Sequence, residues 1–196
     1  MIAPLHPREP ERLEALHLYR ILNTEAEKSF DDLARLASAI CASPISLLSL
    51  VDEGRQWFKA RIGMAATETS RDVAFCAHAI LEDDVMVVPD ALADARFADN
   101  PLVLAEPHIR FYAGAPLVTP DGLPVGTLCV FDHVPRRPTR DQIAALEVLR
   151  DAVVAQLEMR RRLLEASDLA AERDAALRTL EDRAAHCPRC STPSGA

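Results

Sequence analysis

The stretch from Phe75 to Asp132 decides the fold. It opens with the apolar run Phe75-Cys-Ala-His-Ala-Ile and continues through a polar segment around Pro89-Asp-Ala-Leu-Ala-Asp-Ala-Arg-Phe. Two apolar runs, Phe111–Val118 and Val125–Phe131, then flank a segment that contains Asp-Gly, which predicts a β-hairpin. No catalytic signature is complete within the stretch. It favours a pocket-bearing sensor module whose output chemistry lies elsewhere.

The residues before this stretch predict a helix followed by more strands. Apolar side chains recur at helical spacing from Phe30 to Ile40, with Ser29 or Asp31 available as the helix cap. The runs Ile45–Val51 and Gln56–Ile62 are separated by a turn signal and predict a strand pair.

The connections between the strands indicate the fold class. Val85–Val88 adds a short strand, and few segments between strands are suited to parallel crossovers. The sequence therefore predicts an α+β fold with a mainly antiparallel sheet and helices on one face.

A long C-terminal helix is predicted because the chain contains neither Gly nor Pro from Thr139 to about Ala185. An a/d-like seam runs along its second half, formed by Leu163, Ala166, Ala170, Arg173, Leu177, Leu180 and Ala184. The seam is rich in Ala and interrupted by Arg173, so we expect weak pairing with a second copy of the chain. A solvated single helix is the alternative.

These patterns divide the chain into four parts. Residues 1–10 form a Pro-rich arm, 11–160 the main domain, 161–185 a signalling helix and 186–196 a tail. The tail contains Cys187 and Cys190 in a C-x-x-C motif, which is half of a structural zinc site. Two parallel helices would bring four thiolates together, so zinc binding is one hypothesis. A tail without metal is the other.

Composition narrows the classes of partner and the compartment. A net charge of −8 argues against binding to nucleic acid or anionic membranes through bulk electrostatics. No secretory signal or membrane-length apolar run is present, which predicts a cytoplasmic protein. Of five cysteines, three lie inside apolar segments, and this favours reduced, buried thiols over a disulfide framework.

Several segments, in the same order along the chain, resemble bacterial GAF domains. They include Tyr19-Arg-Ile-Leu-Asn-Thr, Phe30-Asp-Asp-Leu, Arg55-Gln-Trp-Phe-Lys, Phe75-Cys-Ala-His-Ala-Ile and Gly126-Thr-Leu-Cys-Val. The similarity covers about residues 8–165, and it is closest to GAF modules that precede histidine kinases and diguanylate cyclases. Asn23 stands where the family more often has Asp.

The resemblance implies both an architecture and a role. The expected architecture is a six-stranded antiparallel sheet with terminal helices on one face, a ligand pocket on the other and dimerisation through the helices. Because no kinase phosphoacceptor box or nucleotide-binding glycine motif is present, we expect a stand-alone homodimeric sensor. It would signal in trans to a partner kinase, cyclase or regulator, as in two-component systems.

The resemblance also implies a set of candidate ligand-binding residues. They are Cys76, His78, Asp90, Asp94, Arg96, Asp99, Asn100, Arg110 and Tyr112. Cys76 and His78 lie in the apolar run, and the others lie in the loop and strand that wall the GAF pocket. Arg110 could pair with an anionic ligand group bidentately. The alternative is an Arg–Asp clamp that fixes the long loop.

Cys76 raises the question of a cofactor or a thiol enzyme. Some GAF relatives attach a bilin to a Cys that is followed directly by His, whereas Ala77 separates Cys76 from His78 here. With an aromatic content of only 5%, neither bilin nor haem is expected. A GAF-fold reductase of free methionine sulfoxide would need an accessible thiolate and a resolving partner.

Cys41 and Cys129 occupy core-like positions, so the sequence predicts a structural role for the thiols and no enzyme activity. A thiol enzyme with Cys76 as nucleophile is the runner-up. A dimerisation scaffold without a ligand is the third interpretation.

Overall fold

The computed structural model describes residues 2–185, and these form five α-helices and six β-strands. The elements are α1 (Glu9–Leu18), α2 (Lys28–Cys41), β1 (Ile45–Val51), β2 (Arg55–Ile62), β3 (Glu68–Ser70), α3 (Phe75–Ala79), β4 (Met86–Val88), α4 (Pro101–Leu104), β5 (Phe111–Val118), β6 (Pro124–Asp132) and α5 (Arg140–Ala185).

The six strands form one sheet in the order β3-β2-β1-β6-β5-β4, and every neighbouring pair is antiparallel. This confirms the predicted α+β fold and the hairpin of β5 and β6. The edge strands β3 and β4 have only three residues each, which limits the unpaired backbone that the sheet exposes.

Both faces of the sheet are covered, which explains why β1 is buried along its whole length. Side chains alternate between the faces along a strand, so Leu48 and Leu50 point to one core and Leu47 and Val51 to the other. The first core, formed with α1, α2 and α5, is the helix-side core. The second lies under α3, α4 and residues 89–110 and is the pocket-side core.

The start of α2 differs from the sequence prediction. The helix begins at Lys28, and its N-cap position is Glu27, whose side chain makes no capping hydrogen bond. The prediction that Ser29 or Asp31 caps the helix is therefore wrong. The Lys59 ammonium, 2.7 Å from a Glu27 carboxylate oxygen, holds this segment instead.

The described part of the chain separates into two compact units that divide between residues 158 and 159. In the first unit, α5 buries Leu146, Leu149, Val153 and Leu157 in the helix-side core. In the second unit α5 exposes most of its leucines, including Leu163 at 64%, Leu177 at 50% and Leu180 at 61%.

Two other predictions concern a membrane span and the zinc site. Among residues 2–185, no helix has the length and apolarity needed to cross a membrane. The zinc hypothesis at Cys187 and Cys190 lies outside the described residues.

Candidate functional site

A cavity of about 370 Å³ lies on the pocket side of the sheet. Its floor is made by Leu47 of β1, Phe58 of β2 and Phe131 of β6, and its cover includes Phe75 of α3 and Leu102 of α4. The volume falls within the range of about 300–1,000 Å³ that is typical of small-molecule sites. Because these residues come from five separate elements, only the folded chain forms the cavity.

The loop between β2 and β3 forms one side of the cavity. Gly63 at its start has a φ of +70°, and a Cβ there would lie 2.1 Å from the Pro44 carbonyl oxygen. Only glycine fits this position. Arg61 then fixes the loop by donating from Nη1 to the carbonyl oxygens of Met64 (3.0 Å) and Ala65 (2.9 Å).

Two uncharged polar side chains, Gln56 and Thr69, form a polar edge of the cavity. The buried Gln56 amide accepts a hydrogen bond from Ser49 Oγ at 3.1 Å and donates to Thr69 Oγ1 at 2.7 Å. Gln56 and Thr69 both line the cavity. The one charged lining residue is Glu106, whose side chain is 89% exposed and lies 3.7 Å from His108 Nε2.

Two thiols meet beside this cavity in the pocket-side core. The Sγ atoms of Cys76 on α3 and Cys129 on β6 are 3.7 Å apart, and both residues are fully buried. The Tyr112 hydroxyl donates to Cys76 Sγ at 3.7 Å, while Cys129 Sγ donates to the Leu47 carbonyl at 3.5 Å. Neither thiol lines the cavity itself.

The thiol pair titrates unevenly. Burial raises the pKa of Cys76, but side-chain hydrogen bonds with Cys129, Tyr112 and other neighbours outweigh it and lower that pKa to about 7. Burial and the neighbouring Cys76 raise the pKa of Cys129 well above its usual range. The pair therefore loses its first proton more readily than its second.

The predicted ligand-binding residues of the 89–110 segment bind mainly to that segment itself. Arg96 donates to both carboxylate oxygens of Asp94, at 3.0 and 2.7 Å, and these hydrogen bonds lower the pKa of Asp94. Asp90 accepts from the backbone N–H of Leu92 at 3.1 Å. The clamp considered for Arg110 thus exists, but Arg96 and Asp94 form it.

Two further candidates satisfy backbone groups. Asn100 accepts from the Leu102 N–H at the start of α4 and donates to the Val73 carbonyl at 3.0 Å. Arg110 Nη1 donates to the carbonyls of Val103 (2.8 Å) and Ile109 (3.0 Å).

The structure does not bring the nine candidates together at the cavity, and Arg96 lines a separate groove beside β4. The His78 ring packs edge-on against Phe97, Asp99 is exposed, and Tyr112 is buried against Cys76. None of the nine is among the cavity-lining residues. Their role in ligand binding stays a prediction.

Sequence reasoning missed the residues that do line the cavity. Most are apolar, and an apolar side chain gives no local signal that separates a pocket wall from a packed core. The usable signal was strand alternation, which places Leu47, Phe58 and Phe131 on the face opposite the long helices.

A larger open groove of about 730 Å³ lies between β2 and the start of α2. Its central cation is Lys59, whose Nζ contacts Thr24 Oγ1 (2.8 Å), the Glu25 carbonyl (2.6 Å) and Glu27 Oε1 (2.7 Å). An ammonium has three N–H donors, so Lys59 has none left for a ligand. The apolar cavity is therefore the better candidate site.

Residues 25–157 match the GAF domain family, and the chain belongs to that family. A cyclic di-GMP phosphodiesterase of Pseudomonas aeruginosa, PA2567, is 42% identical over 159 residues. The match covers 80% of this chain but only 27% of that relative, so the chain spans about a quarter of the relative's length.

Solved structures share the fold. The GAF domain of an Acinetobacter phosphoenolpyruvate-protein phosphotransferase matches with a TM-score of 0.56 at 16% identity, covering 83% of this chain and 97% of that one. A domain of a putative two-component sensor histidine kinase from Sinorhizobium meliloti matches with a TM-score of 0.55 at 15% identity, covering 71% of this chain and 97% of that one. A free methionine-R-sulfoxide reductase of Neisseria meningitidis matches with a TM-score of 0.56 at 16% identity, covering 82% of this chain and 96% of that one. The chain is a GAF module of the sensory or regulatory kind.

Proposed function

We propose that a small molecule binds in the apolar cavity and that this GAF module passes the binding event to a partner through α5. The observation that carries the proposal is the cavity itself, which is built on the two central strands. The GAF module is not catalytic in this proposal. Its three buried free thiols, Cys41, Cys76 and Cys129, suit a reducing, cytoplasmic compartment.

The central strands supply a physical route from the cavity to α5. On β6, Phe131 faces the cavity, while the adjacent Val130 belongs to the helix-side core together with Leu149 of α5. A shift of β6 on ligand binding would therefore change the packing of α5. Such coupling requires that the ligand bind two states of the module with different affinity.

The partner in this proposal is an enzyme of cyclic di-GMP turnover. The support is the 42% identity to a cyclic di-GMP phosphodiesterase that extends well beyond the matched segment. A histidine kinase is the alternative partner. In either case α5 would pair with a second copy of the chain, and the homodimer would present the signal.

Native mass spectrometry of the protein purified from its own cells tests for the ligand. We expect an added mass that is lost on denaturation and that is absent from a Leu102→Trp variant, whose larger side chain fills the cavity. Leu104→Trp is the matched control, because Leu104 lies on the same short helix but is 60% exposed and outside the cavity. A ligand retained by Leu102→Trp would contradict the cavity as the site.

A thiol enzyme is the second candidate function, and the 3.7 Å separation of the Cys76 and Cys129 sulfurs favours it. Titration of the thiols with a chromogenic disulfide reagent under native conditions decides between a ligand-binding module and a thiol enzyme. The titration uses a Cys187→Ser, Cys190→Ser variant, which lacks the tail thiols. Complete burial of both residues predicts slow modification. Rapid modification of Cys76, with turnover of free methionine sulfoxide, would support the enzyme. Slow modification of the thiols, together with no bound ligand on native mass spectrometry, would support the dimerisation scaffold without a ligand.

A further inference from the structure

We infer that the cavity takes a neutral, predominantly apolar, ring-containing molecule with one hydrogen-bonding group, and that it rejects anionic ligands. The inference rests on the proposed function, since it names the class of ligand for the same site. Charge, the shape of the apolar walls and the polar edge each contribute to it.

Charge excludes anions. No Lys or Arg is among the lining residues, and the one charged group at the cavity is the Glu106 carboxylate. The nearby guanidinium groups of Arg61 and Arg110 already donate to backbone carbonyl oxygens of the walls. An anion that enters the cavity would lose its hydration, and no lining residue supplies a positive charge to offset that loss. Phosphates, carboxylates and sulfonates are therefore poor ligands.

The apolar walls favour a ring. Phe58, Phe75 and Phe131 all line the cavity, and the rings of Phe75 and Phe131 meet edge to face with centroids 5.8 Å apart. Phe75 is held in place from behind by a parallel stack on Phe97 at 4.1 Å. Aromatic side chains in such an arrangement pack well against a further planar ring.

The polar edge adds a single neutral recognition group. Ser49 and Thr69 fix the orientation of the Gln56 amide by their hydrogen bonds to its oxygen and nitrogen. A carboxamide has two N–H donors and two acceptor positions on its oxygen, so one of each remains for a ligand. A single N–H, hydroxyl or carbonyl on the ligand matches this edge.

A matched pair of fluorescent probes tests the class of ligand directly. N-phenyl-1-naphthylamine is neutral, and 8-anilino-1-naphthalenesulfonate has the same ring system and N–H with an added sulfonate. We expect the neutral probe to bind one site per chain, with a dissociation constant at least tenfold lower than that of the sulfonate. Titrations follow the emission of each probe on direct excitation.

Variants of the cavity decide whether the difference arises there. Leu102→Trp should weaken binding of the neutral probe at least tenfold, while Leu104→Trp should leave its dissociation constant unchanged. Ala65 lines the cavity in the loop between β2 and β3, so Ala65→Arg introduces a cation there. It should selectively tighten binding of the sulfonate probe, whereas Ala65→Gln should not.

Each outcome has a defined meaning. A neutral preference that disappears in Leu102→Trp supports the inference. Equal binding of the two probes, or tighter binding of the sulfonate, with both lost in Leu102→Trp, would overturn the ligand class but keep the cavity as a binding site. Failure of the neutral probe to bind, or binding that Leu102→Trp leaves unchanged, would overturn both the inference and the assignment of this cavity as the ligand site.

Discussion

Glu9 holds the N-terminal helix to the rest of the domain through two buried guanidinium groups. Its Oε1 lies 2.6 Å from Arg12 Nη2 and 2.5 Å from Arg71 Nη1, and its Oε2 accepts from Arg12 Nε at 3.0 Å. Arg12 is fully buried and also donates to the Val51 carbonyl at 2.6 Å. One carboxylate therefore compensates two buried cations that join α1, β1 and the turn after β3.

Glu9 should make the stability of the domain depend on acid pH. Burial raises the pKa of Glu9, but the hydrogen bonds and charges of Arg12 and Arg71 lower it from 4.5 to about 2. A lowered folded-state pKa contributes stability that is complete above pH 4.5 and is lost as the pH falls toward 2. We expect this contribution to reach at most about 3 kcal/mol, measured by urea unfolding across that pH range.

Glu9→Gln separates this effect from general acid denaturation. At pH 7 it should destabilise the domain by about 3 kcal/mol or more, because two buried cations lose their counter-charge. The difference from the parent chain should shrink below pH 4.5. Glu11→Gln is the control, since Glu11 lies on the same helix and forms only an exposed pair with Arg8. A difference for Glu9→Gln that stays constant down to pH 2 would contradict the assignment.

At the scale of elements, α2 ends with a residue in the left-handed conformation. Ala42 has φ 49° and ψ 39°, and its N–H bonds to the Ala39 carbonyl at 3.2 Å. This position at a helix C-terminus is usually glycine, because a Cβ clashes with the neighbouring carbonyl in that conformation. The chain therefore stores strain at an exposed site.

Ala42→Gly should stabilise the domain by about 0.5–1 kcal/mol, because the strain of the left-handed alanine exceeds the entropy that glycine loses on folding. Ala39→Gly is the matched control. Ala39 is also exposed on α2 but lies within the helix, so the same change should destabilise by about 1 kcal/mol. Thermal unfolding of the two variants measures the opposite signs. Destabilisation by both substitutions would contradict the assignment of strain to Ala42.

The regular elements could be predicted from sequence because their signals are local. Strand runs such as Ile45–Val51 and Phe111–Val118 match the structure to the residue, and α5 follows from the lack of Gly and Pro. The cap of α2 could not be predicted, because Lys59, which secures that segment, approaches from another part of the chain. Long-range contacts of this kind leave no trace in a local pattern.

The candidate site was predicted only in outline for a related reason. Polar residues in the 89–110 segment point to a binding loop, yet an irregular segment that packs on the core must first satisfy its own backbone groups. Asn100 and Arg110 do so by bonding to carbonyls, and Asp94 does so by bonding to the Arg96 backbone N–H. The polarity of the loop therefore reflects how it is held in place.

At the scale of the whole molecule, the second unit presents an unpartnered apolar seam in the part of α5 that the structure describes. The seam positions Leu163, Leu177 and Leu180 are at least half exposed. Arg173 interrupts them and bonds to the adjacent Asp174, with Nη2 to Oδ1 at 2.8 Å. Heptad spacing and exposure together favour pairing with a second copy, and a charge at a d position weakens that pairing.

Substitutions on the seam should shift the monomer–dimer equilibrium in both directions. Arg173→Leu should tighten the dimer by about tenfold or more, because it replaces a charge with an apolar side chain that the partner helix can bury. Leu177→Asp should weaken it by a similar factor for the opposite reason. Ala175→Asp, on the opposite side of the helix, is the control and should change little. Sedimentation equilibrium measures all three, and identical association of the three variants would show that the dimer, if formed, does not use this seam.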